Sequence, residues 1–461
     1  MTMTTLRADK LLAEIGSRVE ELRQSTGTPG IAFGVVANGA CAASGLGKTS
    51  VRDPREVTSN TLFRLCSITK PMTSTLAMSL VEEGTLDLDT PIVSWLPDLA
   101  LADPRTRRGL TLRHLLSHTS GLEGEWRGDL ESYGRNDDAL ARLIGDYPRL
   151  AQYAPLGQYW GYCNTGYWLA GHLIATVTGR SYEQALRERV LEPLGMRATA
   201  LTAEEAVLHR IALPHKPTPG GQVPVPSIAF PRARIASGGV LASVEDLLRF
   251  AAASLGTPLV GSDSVINPQS RQLLQRPAVP AEGVGGYQSL GWQVTVTDAG
   301  LIVHHGGSYK GYASRLMLVP SAGIAVAVLA NSDSGGQLGR AIQRYLTERV
   351  LGYREVEAAD VEVSTDLLRR YAGRYVHPGA DYSLVSLTER GLRIEVVNSS
   401  RQPVAADCRA LSNTDFAIVG GPLDGSILSF LSEVTKVTDA AAVPSVIRIG
   451  QRLGARTAEI S

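Results

Sequence analysis

The stretch FRLCSITKPMTSTLAMSLVEEG, residues 63–84, contains the pattern that decides the fold. Apolar residues recur at helical spacing along its second half, and Gly84 supplies a stop signal. Pro71 must then lie near the helix start, where a missing backbone N–H is best tolerated. Ser67 and Lys70 are three positions apart at this start. The segment therefore predicts a serine at a helix N-terminus and a lysine one turn later on roughly the same face.

A serine hydroxyl becomes a good nucleophile only when a base takes its proton, and a lysine can help only if burial or nearby charge lowers its pKa. At a helix N-terminus, the dipole and the free N–H groups favour an alkoxide and the oxyanion it forms. A capping serine followed by a surface lysine gives the same S-x-x-K spacing and is the commoner meaning of that pattern. The chain has six lysines, however, and Lys70 alone has a serine three positions before it.

A second candidate lies at Tyr162-Cys163-Asn164, just ahead of an apolar helical run. A tyrosine near a cationic lysine loses its proton more easily and can act as a general base and then as a general acid. An asparagine amide can hold both the lysine and a substrate carbonyl. A buried aromatic residue and a helix-capping asparagine would give the same triplet.

The third candidate is LIVHHGGSYKGYASRLMLVP, residues 301–320, a strand-like run with His304, His305, Gly306 and Gly307. Glycines on such a strand let a substrate approach the backbone closely, so that main-chain N–H groups can bind an oxyanion. A hairpin bend with exposed histidines is the alternative interpretation.

These three blocks, in this order, resemble the active-site motifs of the serine β-lactamase and penicillin-binding-protein superfamily. The match is closest to its class C-like branch, which includes carboxylesterases, D-aminopeptidases and D-Ala-D-Ala carboxypeptidases. That branch carries S-x-x-K, Y-x-N and then K-T-G or H-x-G. The segments LTLRHLLSHTSGL, ASGGVLASVEDLLRFA and LGWQV also look like family landmarks. The resemblance covers roughly residues 10–350.

The resemblance implies an acyl-enzyme hydrolase in which Ser67 attacks a carbonyl while Lys70 and Tyr162 share the base role. Tyr162 would protonate the leaving group, and Asn164 and His305 would orient the substrate. Water would then release the acyl group, although transfer to another nucleophile is an open alternative.

Both His304-His305-Gly306 and His305-Gly306-Gly307 fit H-x-G, and the resemblance implies His305, because the family's spacing from that histidine to a later glycine–aromatic pair, here Gly311-Tyr312, fits His305. The resemblance then implies that Gly306, Gly307 and Ser308 complete the substrate-binding block. The backbone N–H groups of Ser67 and Ser308 would form the oxyanion hole, in which each donor often contributes about 3 kcal/mol.

The resemblance also implies an α/β (α+β) fold, in which an antiparallel sheet is flanked by helices and joined to a helical subdomain. The sequence agrees, because a hairpin with an Asn38-Gly39 turn, a helical middle and late strand patterns follow one another. Beyond about residue 355, short alternating runs predict an all-β domain that resembles a lipocalin-like barrel. We therefore predict a hydrolase domain over residues 1–354 and a C-terminal β domain over residues 355–461.

The composition of the chain limits the kinds of molecule that it is expected to bind. Of the 461 residues, 45 are Lys or Arg and 45 are Asp or Glu, so the chain has no electrostatic footprint for nucleic acid. The N-terminus is charged and helical rather than signal-like, and no run of roughly 18 apolar residues predicts a membrane span. The four cysteines are scattered, which is typical of reduced thiols. We expect a cytoplasmic protein with a small-molecule substrate, and a homo-oligomer is left open.

No cofactor or metal is predicted. His114 and His118 have the i, i+4 spacing of a zinc-binding helix, but Leu115 stands where H-E-x-x-H needs its glutamate. They are interpreted as structural histidines. No glycine loop of either standard phosphate-binding kind precedes a helix, so nucleotide chemistry has no support.

The expected substrate is a small ester or amide. Cys66 and Cys163, beside the nucleophile and inside Y-x-N, favour the D-aminopeptidase subgroup, whereas the single C-terminal β domain disfavours it. His305 stands where β-lactamases and carboxypeptidases carry the lysine of K-T-G, which helps attract a substrate carboxylate. Arg315 or Lys310 would replace the positive charge of that lysine if either side chain points into the cleft. The alternatives are a D-Ala-D-Ala carboxypeptidase-like peptidase and, in another class, a catalytically degenerate scaffold protein.

Overall fold

The computed structural model describes residues 7–281, 286–355, 359–378, 380–389, 391–398, 401–431 and 443–457. Its α-helices in these residues are α1 Ala8–Ser25, α2 Thr69–Glu82, α3 Pro104–Gly109, α4 Leu112–Leu116, α5 Ala139–Gly145, α6 Asn164–Thr178, α7 Tyr182–Leu186, α8 Ala203–Ala206, α9 Ile235–Gly238, α10 Val244–Leu255, α11 Pro268–Gln275, α12 Gly335–Leu351 and α13 Thr365–Tyr371.

The strands that precede residue 350 are β1 Gly30–Ala37, β2 Ala40–Gly47, β3 Phe63–Arg64, β4 Thr199–Ala200, β5 His215–Thr218, β6 Gly221–Pro224, β7 Leu241–Ala242, β8 Val279–Ala281, β9 Gly286–Gln288, β10 Gln293–Thr297, β11 Gly300–Tyr309, β12 Tyr312–Val319 and β13 Ile324–Ala330. The strands that follow are β14 Gly373–Val376, β15 Tyr382–Thr388, β16 Gly391–Asn398, β17 Arg401–Ala410, β18 Asp415–Val419, β19 Ile427–Leu431, β20 Val446–Ile449 and β21 Arg452–Arg456.

The main sheet is antiparallel, and in the described part of the chain its strands lie in the order β2-β1-β13-β12-β11-β10-β9-β8. β1 and β2 form the hairpin that Asn38-Gly39 predicts, and both turn residues have positive φ. β1 also pairs with β13, with Val35 opposite Val326. The sheet is therefore built from both ends of this region around a helical middle, which confirms the predicted fold class.

Two hydrophobic cores cover the opposite faces of the sheet. Because side chains alternate along a strand, Phe33 and Val35 of β1 pack with α1 and α12, whereas Ala32 and Val36 face the larger core. That larger core takes its helical residues from α2, α6, α10 and their neighbours. The position of α2 in this core explains why the residues from Thr69 to Leu80 are all buried.

Ser67 lies just ahead of α2, in the 3₁₀ turn Cys66–Ile68. Pro71 is the third residue of the helix, where its missing N–H costs no intrahelical hydrogen bond. The predicted placement of the serine at a helix N-terminus is confirmed. Cys66 has a φ of +51°, a backbone conformation that residues other than glycine seldom adopt.

The C-terminal strands β14 to β21 form a closed antiparallel barrel in chain order. Tyr375 on β14 lies opposite Arg456 on β21 and closes the ring of strands. Aromatic side chains fill the centre, with Tyr371 stacked on Phe430 at a ring-centroid distance of 3.9 Å. The predicted small all-β domain is confirmed, and its boundary at residue 355 stays a prediction.

Among the described residues, no helix combines the length and the apolar character that crossing a lipid bilayer requires.

Candidate active site

A cavity of about 470 Å³ opens between the first turn of α2, the strand β11 and the start of α6. Of the eight residues that the sequence predicts, seven line it: Ser67, Tyr162, Asn164, His305, Gly306, Gly307 and Ser308. The eighth, Lys70, is completely buried beneath Ser67. The fold thus brings together three motifs that are far apart in the chain.

The Ser67–Lys70 pair is in direct contact. The Nζ atom of Lys70 donates to the hydroxyl oxygen of Ser67 at 3.2 Å and to the backbone carbonyl of Ser237 at 2.8 Å. Burial, with a smaller contribution from Arg452, holds the pKa of Lys70 well below its usual value. Burial therefore favours the neutral amine, the form that can accept the proton of Ser67.

The phenol ring of Tyr162 lies under the same amine, with 4.7 Å from Lys70 Nζ to the ring centroid. Burial raises the pKa of Tyr162, although the interaction with Ser67 opposes this shift. The direction is opposite to the one expected from the sequence, where a cationic lysine was to promote loss of the phenol proton. Because the phenol is desolvated, the structure favours a protonated Tyr162.

His118 is a neighbour of Tyr162 that the sequence analysis interpreted only as structural. Its ring lies 4.5 Å from the Tyr162 ring, and its Nδ1 accepts the backbone N–H of Cys163 at 3.0 Å. Burial holds the pKa of His118 well below its usual value, so the ring is neutral. His114, by contrast, belongs to the capping box of α4 with Thr111. The sequence signal that could have identified His118 is the family landmark LLSHTSGL, which contains it.

Asn164 is the first residue of α6, and Cys163 caps that helix in its place by accepting the N–H of Gly166. The amide nitrogen of Asn164 donates to Oε1 of Glu125, and its amide oxygen has no hydrogen-bond partner in the described part of the chain. Among the described residues Lys70 donates to Ser67 and to the carbonyl of Ser237, and no hydrogen bond joins it to Asn164. The role of Asn164 toward the lysine stays a prediction.

The strand β11 carries the histidine–glycine block along one side of the cavity. Successive side chains of a strand point to opposite faces, so His305 lines the cavity whereas His304 contacts Nη2 of Arg315 at 3.1 Å. The Nδ1 atom of His305 donates to the carbonyl of Gly306 at 2.7 Å. Burial and the nearby Lys70 lower the pKa of His305 to about 3, so it is neutral at pH 7.

Gly307 allows β11 to approach the nucleophile turn. A Cβ atom at this position would lie 2.5 Å from the carbonyl oxygen of Leu65 and 2.7 Å from Cβ of Cys66. Ser314 on the next strand donates to the same carbonyl at 2.7 Å. The strand β11 at Gly307 thus runs beside the turn that carries Ser67, and the oxyanion hole of the Ser67 and Ser308 N–H groups stays a prediction.

Positively charged side chains predominate around the cavity. Among the described residues, four arginines and a single acidic residue line it: Arg234, Arg315, Arg340, Arg452 and Glu125. Of the two cations that the sequence left open, Arg315 lines the cavity, whereas Lys310 lies over the ring of Tyr309. Burial and the neighbouring Arg340 lower the pKa of Arg315 to about 10, so it stays charged at pH 7. The sequence predicted neither Arg340 nor Arg452 as a cavity residue.

Comparison with known proteins identifies the family. A model of the Beta-lactamase family matches residues 15–350, and the chain therefore belongs to the beta-lactamase family. Penicillin-binding protein 4 of Amycolatopsis lactamdurans is 31% identical over 372 residues, which cover 78% of this chain and 97% of that protein.

Two further relatives are named for their activities. Esterase EstB of Burkholderia gladioli is 30% identical over 330 residues, 62% of this chain and 81% of that protein. The D-aminopeptidase of Gluconobacter oxydans is 27% identical over 348 residues, 72% of this chain and 62% of that protein. These relatives support the predicted hydrolase activity.

Solved structures share the fold along nearly the whole chain. SurE has a TM-score of 0.78, and SurE with D-Leu has one of 0.77; each is 23% identical and covers 96% of this chain and 99% of its own. The octameric penicillin-binding protein homologue from Pyrococcus abyssi has a TM-score of 0.66 at 23% identity, with the same coverage. At these identities the likeness extends to the fold alone.

Proposed function

We propose that this protein is a serine hydrolase that forms an acyl-enzyme through Ser67 and hydrolyses a small ester or amide. The contact between Ser67 and a completely buried Lys70, whose pKa is lowered by that burial, carries the proposal. A capping serine with a surface lysine, the alternative meaning of S-x-x-K, is incompatible with that burial.

In the first step the Ser67 oxygen attacks the substrate carbonyl as Lys70 takes its proton. The carbonyl oxygen becomes an oxyanion, which the backbone N–H groups of Ser67 and Ser308 bind in this proposal. Tyr162, protonated and beside both groups, gives a proton to the leaving alkoxide or amine and recovers one from Lys70. Water then attacks the acyl-enzyme with the same groups acting in reverse, and the acid leaves.

An ester or amide substrate is supported by the relatives named as an esterase and a D-aminopeptidase. A D-peptidase is the second candidate, because Arg315 and Arg340 line the cavity and suit a substrate with a carboxylate. SurE with D-Leu is a further precedent for D-configured ligands on this fold. A degenerate scaffold is disfavoured by the intact motifs.

Intact-protein mass spectrometry with a fluorophosphonate tests the proposal. The wild-type chain should gain one adduct, Ser67→Ala should gain none, and its turnover should fall by several orders of magnitude. Labelling of another serine in Ser67→Ala would contradict the assignment. Absence of labelling and turnover in the folded wild type would favour the scaffold.

The proposal places the enzyme in the cytoplasm, which the free thiols of Cys41, Cys66, Cys163 and Cys408 support. It also includes a homo-oligomer, since a neighbour of this fold is octameric. Cell fractionation and light scattering of the purified chain test these two parts.

A further inference from the structure

The last hairpin of the C-terminal barrel reaches the candidate active site. The turn between β20 and β21 ends at Gln451, and this residue and Arg452 both line the cavity that holds Ser67. They are almost 300 positions away from Tyr162 in the chain, and their contact depends entirely on how the barrel packs against the hydrolase fold.

Both backbone groups of Tyr162 are bound by this hairpin. The N–H of Tyr162 donates to the carbonyl of Gln451 at 2.7 Å, and Nη1 of Arg452 donates to the carbonyl of Tyr162 at 2.5 Å. Arg452 Nη1 also donates to the carbonyl of Gly124 at 3.0 Å. The peptide units on either side of Tyr162 are thus fixed by the barrel.

The other half of the guanidinium reaches Asn164, the last residue of the Y-x-N motif, through the carboxylate of Glu125. Nη2 of Arg452 forms an ion pair with Oε1 of Glu125 at 2.5 Å, and the same oxygen accepts the amide N–H of Asn164. The Arg452 and Glu125 side chains are 23% and 30% exposed, so the pair is shielded from most solvent. The planar guanidinium presents its N–H donors in a fixed fork, which is suited to holding such a network in place.

The packing leaves little room for another arrangement. A Cβ atom at Gly161 would lie 2.3 Å from Cγ of Leu453, and one at Gly124 would lie 2.9 Å from Nη1 of Arg452. Tyr153 and Ala154 form an apolar cluster with Val446 and Leu453 of the barrel. The hairpin is therefore held in the same position by packing and by hydrogen bonds.

We propose that Arg452 is a positioning residue of the active site, through which the C-terminal barrel fixes both Tyr162 and Asn164 for catalysis. It acts on Tyr162 through the backbone carbonyl and on Asn164 through Glu125. The sequence treats the β domain as a separable appendage, whereas these contacts make it part of the catalytic unit. The inference rests on the proposed function, since it assigns Arg452 to the same reaction.

The position of Arg452 over the ring of Tyr162 adds an electrostatic effect. The guanidinium carbon of Arg452 lies 4.9 Å from the centroid of the Tyr162 ring, and Lys70 lies 4.7 Å from that centroid. The fixed positive charge of Arg452 lowers the pKa of Lys70 and so favours its neutral form. Removing this charge should therefore raise the pKa of Lys70, so that less of the lysine is in the neutral form, and should also loosen the neighbouring Tyr162.

Steady-state hydrolysis of p-nitrophenyl butyrate by the full chain tests the proposal. Arg452→Met keeps the aliphatic stem and its packing but removes every hydrogen bond of the guanidinium. We expect kcat to fall roughly 10- to 100-fold, because a small displacement of a catalytic group has a cost of this order. KM should change by less than about threefold, and fluorophosphonate labelling should slow in proportion to kcat.

Arg393→Ala is the matched control, because Arg393 is an exposed barrel residue paired with Asp407. It should leave kcat and KM unchanged, and thermal melts should confirm that both variants are folded. If Arg452→Met does not fold, Glu125→Gln replaces it, since this change removes the ion pair without touching the barrel.

The double variant Glu125→Gln/Arg452→Met distinguishes positioning from direct action on the substrate. If Arg452 acts on Asn164 through Glu125, the double variant should lose no more kcat than Arg452→Met alone. Losses that multiply, or a loss confined to KM, would overturn the proposal. Ser67→Ala distinguishes failure of this inference from failure of the proposed function. If Arg452→Met has wild-type rates while Ser67→Ala is inactive, only the role of Arg452 is rejected. If Ser67→Ala is active, the proposed function is rejected.

Discussion

The imidazole of His118 lies against the phenol of Tyr162, with ring centroids 4.5 Å apart, while its Nδ1 accepts the N–H of the next residue, Cys163. One histidine therefore fixes both the ring and the following peptide of the Y-x-N motif. Its own backbone has a φ of +60°, a conformation that asparagine tolerates better than most residues.

His118→Leu should reduce kcat for an ester at least tenfold, because the ring loses its support and the Cys163 N–H is left buried without an acceptor. That orphaned N–H should also lower the free energy of unfolding by about 1–3 kcal/mol. His118→Asn keeps an acceptor and the backbone conformation, and it should retain more activity than the leucine variant. Ester kinetics and urea unfolding measure both effects.

His114→Asn is the control for that pair, four residues earlier on the same segment. His114 contacts Thr111 in the α4 capping box and lies outside the cavity lining. We expect a loss of stability without a change in the fluorophosphonate labelling rate. Equal labelling rates in all three histidine variants would show that His118 has no part in the site.

Lys70→Ala and Tyr162→Phe should each cost nearly as much activity as the loss of Ser67, because the three groups move one proton in sequence. Their combination should therefore add little to either single loss. Single-turnover acylation rates for the two variants and the double variant decide the matter. Losses that multiply would mean that the two residues act independently.

The three motifs could be predicted because each is short and its chemistry depends on local spacing. Ser67 and Lys70 meet on one helical turn, and His305 differs from His304 by one position on a strand. The position of the Lys70 amine also depends on its hydrogen bond to the backbone carbonyl of Ser237. A sequence pattern of side chains cannot predict a contact with a backbone atom. Arg452 was missed for a related reason, since its place is set by the packing of a separate barrel.

The charge states of the site were predicted less well than its residues. A sequence shows that Lys70 and Tyr162 can be neighbours, but the degree of burial decides which of them carries the proton. Both groups are almost fully buried, and burial disfavours the charged form of each. Burial thus opposes the easier loss of the phenol proton that the sequence analysis expects, and it shifts Lys70 toward the neutral amine.

Gly307→Ala should displace the nucleophile turn, because the new Cβ would lie 2.5 Å from both the Leu65 carbonyl oxygen and Oγ of Ser314. We expect kcat for ester hydrolysis to fall by roughly 10-fold or more. Gly145→Ala on α5 is the control, since a Cβ there meets nothing within 4 Å. An active Gly307→Ala variant would mean that β11 can move away without disturbing Ser67.

Stability should fall as the pH is lowered from 7 to 5. Burial lowers the pKa of His118, His304 and His305, so these rings stay neutral in the folded chain while the unfolded chain binds protons below about pH 6.5. For His305, whose pKa is lowered to about 3, this removes about 2 kcal/mol of stability at pH 5, and His118 and His304 act in the same direction. The stabilisation is complete above the unfolded pKa and is lost progressively below it.

Urea unfolding of His304→Gln at the two pH values measures one of these contributions, because His304 lies outside the cavity lining. The glutamine cannot titrate, so the drop in unfolding free energy between pH 7 and pH 5 should be smaller than in the wild type. A drop of equal size in both proteins would mean that His304 takes up its proton in the folded state.

The last prediction concerns the preferred substrate. His305 is neutral at pH 7 and gives no permanent positive charge to a substrate carboxylate where related enzymes have a lysine. Arg315 is already engaged by Gln343 and His304, and Arg340 is exposed at the cavity edge, where a charge contributes less. We expect clear hydrolysis of p-nitrophenyl acetate and butyrate, cleavage of D-alanine p-nitroanilide if the D-aminopeptidase relation extends to the substrate, and feeble turnover of nitrocefin. Steady-state kinetics on the four compounds is the test, and a kcat/KM for nitrocefin above that for the esters would mean that Arg315 or Arg340 replaces the missing lysine.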